Sequence, residues 1–150
     1  MKQLLGLILI ALFSIAPVTA TANDGVLGKW VTKEGKSHVV ISRCDAGLCG
    51  KIVWLKEPNY PADDDKGMAG KTKVDRENPD PALRNKPTLG LEILRGFKTR
   101  RGNVWEDGTI YDPKNGKTYK SKLTLADPKT LNVRGFIGFS WIGRTSVWTR

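Results

Sequence analysis

The chain has 150 residues, with 25 Lys and Arg against 15 Asp and Glu and a formal net charge of +10. That length allows one domain with a real hydrophobic core and is too short for two. Two cysteines and one histidine fall short of the roughly four ligands of a structural zinc site, so neither a metal nor a cofactor is expected.

In chain order, Lys2 precedes an apolar run from Leu4 to Ile15, Pro17 breaks it, and Ala20-Thr21-Ala22 follows. A charged start, a short apolar stretch and an A-x-A end are the parts of a secretory signal. A bilayer-spanning helix needs about 20 apolar residues, which this run lacks. Residues 1–22 are therefore expected to be a cleaved export signal, leaving a periplasmic or secreted domain, 23–150, that is not an integral membrane protein. No cysteine follows the run, which argues against a lipoprotein. Export also removes nucleic acid as a natural partner. The basic excess then suits an anionic envelope component, or simply solubility.

The first strand is expected from Gly28, the second from Ser37 to Arg43 and the third from Gly50 to Leu55. Cys44 and Cys49 flank Asp45-Ala46-Gly47-Leu48, a loop composition that makes a hairpin with the cysteines facing each other. In an oxidising compartment they should form a structural disulfide, worth roughly 2 kcal/mol on the loop-entropy account. A polar stretch from Lys56 to Pro87 follows, long enough to be functional or mobile. Within it Asn78 could cap one helical turn, with Pro79 at the first helical position. Asp63-Asp64-Asp65 lacks the spaced ligands of a calcium loop and is expected to be a solvated acidic loop.

Strands resume at Leu89, with Leu89, Leu91 and Ile93 sharing one face. A basic hairpin tip is expected at Lys98–Gly102, then a strand from Val104 to Tyr111 and a turn at Asp112–Lys117. From Thr118 to Leu125, Tyr119, Ser121, Leu123 and Leu125 point one way. A strand from Leu131 to Phe136, an aromatic-rich bend at Gly138–Gly143 and a last strand from Arg144 complete the chain. About eight consecutive antiparallel strands with little helix predict an all-β fold. An up-and-down barrel is the simplest closure, and a β-sandwich is the alternative.

Gly28 and Trp30 open the first strand and Arg150 ends the last, so in a closed barrel the guanidinium can lie across the indole; Arg144 is the other candidate. This pairing resembles the lipocalin signature. The blocks Leu48–Leu55, Asn78–Arg84, Gly108–Pro113, Gly116–Tyr119 and Gly143–Arg150 are similar to the exported bacterial family known as domain of unknown function 2147. That resemblance implies a lipocalin-like barrel and brings no settled activity with it.

No nucleophile motif accompanies His38 and no phosphate-binding glycine loop is present, so no catalytic residue is expected. A barrel of this size either fills with side chains or holds one small ligand. For a small apolar or amphipathic ligand, the expected lining is Trp54, Leu91, Ile93, Tyr111, Tyr119, Leu123 and Phe136. Asp75, Asn78, Asp80 and Arg84 form a polar group that either covers the barrel mouth or fixes the long loop, with an Asp–Arg pair in the second case. The alternative function is a solid barrel contacting an envelope protein or anionic glycolipid through the basic hairpin (Lys98, Arg100, Arg101) and the long loop.

Overall fold

The computed structural model describes residues 24–150, so the expected export signal lies outside the described residues. Eight strands follow in order: β1 (Gly28–Val31), β2 (Ser37–Cys44), β3 (Gly47–Leu55), β4 (Glu92–Arg101), β5 (Val104–Asp112), β6 (Lys117–Asp127), β7 (Thr130–Phe136) and β8 (Gly143–Thr149). Each pairs antiparallel with the next, and β1 pairs with β8, closing an up-and-down barrel. Closure removes both free edges and rules out the sandwich.

Strand period explains the core. In β6 the residues Ser121, Leu123 and Leu125 are buried at every second position, and Leu131 and Val133 repeat this in β7, as two-residue alternation demands. Trp30, Trp105 and Trp148 are 0%, 1% and 3% exposed, and Phe97, Leu94 and Leu123 are equally buried. Each contributes on the order of 1.5–3 kcal/mol by leaving water. Glycine makes room for Phe97: a Cβ on Gly108 would fall 2.4 Å from its ring.

The β1–β8 seam has a single register pair, Val31 with Thr149, and side chains reinforce it. Arg150 lies over the Trp30 ring with Cζ 4.1 Å from its centroid, where the indole face attracts a cation. Its guanidinium also donates to the carbonyls of Leu27 (2.9 Å), Pro128 (2.8 Å) and Gly25. Trp30 Nε1 in turn donates to the Val26 carbonyl at 2.8 Å. Val26, in the short turn Asp24–Val26, is buried in the core, so this end of the barrel is plugged.

Several local expectations change. The β2–β3 turn is only Asp45-Ala46, with Cys44 opposite Gly47 and Cys49 opposite Ser42. The disulfide Cys44–Cys49 forms across a Cα separation of 5.9 Å, but diagonally, because the strands extend further toward the turn than a four-residue loop allows. Lys98, Arg100 and Arg101 belong to β4, and the tip is residues 102–103. Leu89 is 52% exposed because it lies in a turn before β4 begins at Glu92, while Leu94 in the strand is fully buried.

Candidate functional site

An up-and-down barrel sorts its connections between two ends. The tight turns 45–46, 102–103 and 128–129 lie at the plugged end. The connections 32–36, 56–91, 113–116 and 137–142 form the opposite rim, and two of these dominate it.

The β3–β4 loop, residues 56–91, is built around buried polar groups. Asp75 is fully buried; its Oδ1 accepts from the Tyr111 hydroxyl at 2.6 Å and its Oδ2 from Asn78 Nδ2 at 2.7 Å. Burial first, then the adjacent Asp75, drives the Tyr111 hydroxyl well above the usual tyrosine range. A Cβ on Gly116 would fall 1.8 Å from the Glu77 carbonyl oxygen, so the loop lies directly on the β5–β6 turn. Further out, Tyr60 is buried and its hydroxyl donates to the Val74 carbonyl at 2.9 Å. Arg76 covers the Tyr60 ring at 4.1 Å and donates to Asp64 at 2.7 Å. Burial opposes charge on Asp64, but Arg76 and the amides of Met68 and Lys66 outweigh it and hold the carboxyl below its ordinary range.

Of the polar group expected here, Asp75 and Asn78 do meet. Asp80, rather than Asn78, caps the short helical turn Pro81–Leu83, accepting from the Ala82 amide, and Pro81 takes the first position. Asn78 Oδ1 is engaged one step earlier by the Asp80 amide, which shifts the start of the turn. Arg84 Nε donates to the Asn78 carbonyl at 2.8 Å, so the expected Asp–Arg pair is replaced by a guanidinium–backbone bond. Asp64 likewise departs from a freely solvated acidic loop.

The β7–β8 loop, residues 137–142, is the reverse. Ile137, Phe139, Trp141 and Ile142 are 71%, 61%, 72% and 60% exposed, and the Phe139 and Trp141 rings stack at 4.5 Å, almost parallel. Arg134 holds the loop, donating to the carbonyls of Ser140 (2.6 Å) and Trp141 (3.2 Å) and to Thr145 Oγ1 (2.9 Å). This loop is the aromatic-rich bend expected at Gly138–Gly143. Its signal was a turn of Ile, Phe, Trp and Ile where loops are normally polar.

Among the described residues, the seven expected lining residues fall in different settings. Ile93 and Leu123 belong to the packed core, with Leu91 and Tyr111 against it. Tyr119 accepts from Asn115 Nδ2 at 3.1 Å, and Phe136 is half-buried at the end of β7. Trp54 is 43% exposed and stacks on His38 at 4.4 Å. The reason is a bulge: Val39 pairs with Ile52 but His38 pairs with Trp54, so Val53 is an extra residue and the alternation that buries Ile52 reverses. Open hollows lie elsewhere, one of about 560 Å³ between Arg100, Arg101, Val104, Glu106 and Lys122. There Glu106 faces Arg100 at 3.5 Å and Lys122 at 3.3 Å, which partly neutralises the basic hairpin.

Residues 28–150 match the family described as an uncharacterized protein conserved in bacteria, DUF2147. The chain belongs to the DUF2147 family. Among solved structures, this DUF2147 barrel is similar to protein HP1028 from Helicobacter pylori, which belongs to the lipocalin family. The two share 22% identity and superpose with a TM-score of 0.69 over 83% of this chain and 82% of that one. That likeness establishes a lipocalin-like fold. A comparison with curated proteins finds no match.

Proposed function

We propose that this DUF2147 chain is a non-catalytic binding protein of the bacterial envelope that takes amphipathic, anionic molecules at its rim and outer wall, around a filled barrel. One observation carries the reading: the space that could hold a ligand in a lipocalin-like barrel is occupied by Trp30, Phe97, Leu94, Trp105, Leu123 and Trp148, all at or below 3% exposure. Exposed large apolar side chains gather instead on the rim loop 137–142, with Val53, Trp54, Leu89 and Val147 spread over the wall and the long loop. The net charge of +10 favours anionic over neutral amphiphiles.

The groups best suited to nucleophilic chemistry are engaged elsewhere. Both cysteines are bonded to each other, and His38 faces the Trp54 ring. The five tryptophans supply the test, because each indole N–H is a separate NMR signal. Titration with an anionic single-chain amphiphile should move the signals of Trp141 and Trp54 and leave those of Trp30, Trp105 and Trp148 in place. Saturable shifts of the three buried indoles would instead establish an interior carrier.

A further inference from the structure

Resting on the reading that the barrel binds through its rim, we propose that the β7–β8 loop docks the protein onto an anionic lipid bilayer. In this arrangement the stacked Phe139 and Trp141 enter the boundary between headgroups and acyl chains. Three features of the loop point to that occupant.

The first is its apolar tip. Four large side chains project from six residues, and an exposed cluster of this kind marks an interaction site. Trp and Phe are suited to the bilayer boundary, where amphipathic rings concentrate.

The second is the state of its backbone. The carbonyls of Phe139, Ser140, Trp141 and Ile142 accept, in turn, from the Ile142 amide, Arg134 Nε, Arg134 Nη2 and the Ile137 amide. Four consecutive carbonyls are thus satisfied within the protein. This lowers the cost of carrying those carbonyls out of water, while the amides of residues 138–141, which make no such bond among the described residues, stay at the hydrated headgroup level. Two glycines permit the shape: Gly138 has φ +71°, and a Cβ on Gly143 would fall 2.4 Å from the Gly135 carbonyl oxygen.

The third is charge. From Lys117 to Arg150 the sole acidic residue is Asp127, at the plugged end of β6. Exposed Lys120 and Arg144 sit opposite Phe136 and Gly135, immediately behind the tip. Lys122 is matched by Glu106, whereas neither Lys120 nor Arg144 forms an ion pair among the described residues. Basic residues at this depth are attracted to anionic headgroups within a Debye length.

The experiment is flotation of the protein purified from its native host with vesicles of phosphatidylcholine, with and without phosphatidylglycerol. Binding should require phosphatidylglycerol, weaken as salt rises, and fall roughly tenfold or more in F139S/W141S and in K120E/R144E. Both pairs are exposed, and unchanged melting temperatures would show that the barrel is intact. Bromine-labelled acyl chains should quench tryptophan emission in the wild type and much less in W141F. Absence of vesicle binding, or binding indifferent to F139S/W141S, overturns the proposal. A photo-reactive residue at position 141 that crosslinks a discrete envelope protein, with no vesicle binding, also overturns it in favour of a protein partner. If a soluble anionic amphiphile shifts the Trp141 signal while vesicles fail, only the bilayer proposal falls. If neither binds, the rim reading falls with it.

Discussion

The two loops that dominate the rim use opposite physics. Residues 56–91 form a long, polar connection that behaves as structure. They carry the bridges Asn59–Thr72 and Val74–Pro87, a buried carboxylate with both oxygens engaged and an aromatic anchor in Tyr60. Residues 137–142 are short and turn their apolar side chains into solvent, while Arg134 fixes their backbone. Length therefore misleads as a guide to mobility here. What matters is where each loop's hydrogen bonds and apolar groups go, since buried polar groups must be paired and unpaired apolar surface seeks a partner.

The largest loss is expected at Asp75. Asp75→Ala leaves the Tyr111 hydroxyl and Asn78 without acceptors in a buried place. It should lower unfolding stability by about 1–3 kcal/mol, measured by urea denaturation. Gly116→Val places a side chain against the Glu77 carbonyl at a φ of +69° and should separate the long loop from the β5–β6 turn. Strain of this kind costs on the order of 1–3 kcal/mol, and limited proteolysis within residues 56–91 should accelerate while the barrel persists.

Two pH effects sharpen the same contrast. Asp64 has a lowered folded-state pKa, so its stabilisation is present above the unfolded value of about 3.9 and is lost as pH falls through the folded value. Acid should therefore loosen the long loop, with hydrogen exchange rising there before it rises at 137–142. Tyr111 is shifted upward, so its stabilisation is complete below about pH 10, the unfolded value, and is lost as pH rises beyond it. Ultraviolet titration should show a tyrosine resisting ionisation above that pH, and Tyr111→Phe should remove it.

The smallest stability effect belongs to the short loop. F139S/W141S should change unfolding stability by no more than roughly 0.5 kcal/mol per site, as exposed substitutions do. A larger loss would mean that the tip packs on the barrel and would erase the contrast between the two loops.

Much of the fold was legible because its signal is local. Alternation in Lys117–Asp127 and the turn residues around 112–117 depend only on neighbours in sequence, and the barrel follows from consecutive hairpins. The site was less legible. Trp54 shares its expected face with Ile52 until an extra residue, Val53, intervenes, and a bulge is chosen by the partner strand rather than by the strand itself. Asp75 could be recognised as part of a polar group, but its bond to Tyr111 spans 36 positions. Asn78 and Asp80 each accept the amide two residues on, and only the one at Asp80 opens onto helical backbone.

By itself, then, the sequence determined an all-β chain of about eight strands, the bonded cysteine pair and membership in DUF2147, because period-two alternation, turn chemistry and family motifs are written in short stretches. Barrel closure settled that Trp30, Trp105 and Trp148 share one packed core, that the long loop is a packed part of the rim and that four exposed apolar side chains gather at 137–142. Those outcomes depend on how side chains from all eight strands share one interior, and on which donors remain for each loop's carbonyls. Both are properties of the closed assembly, and no single segment contains them.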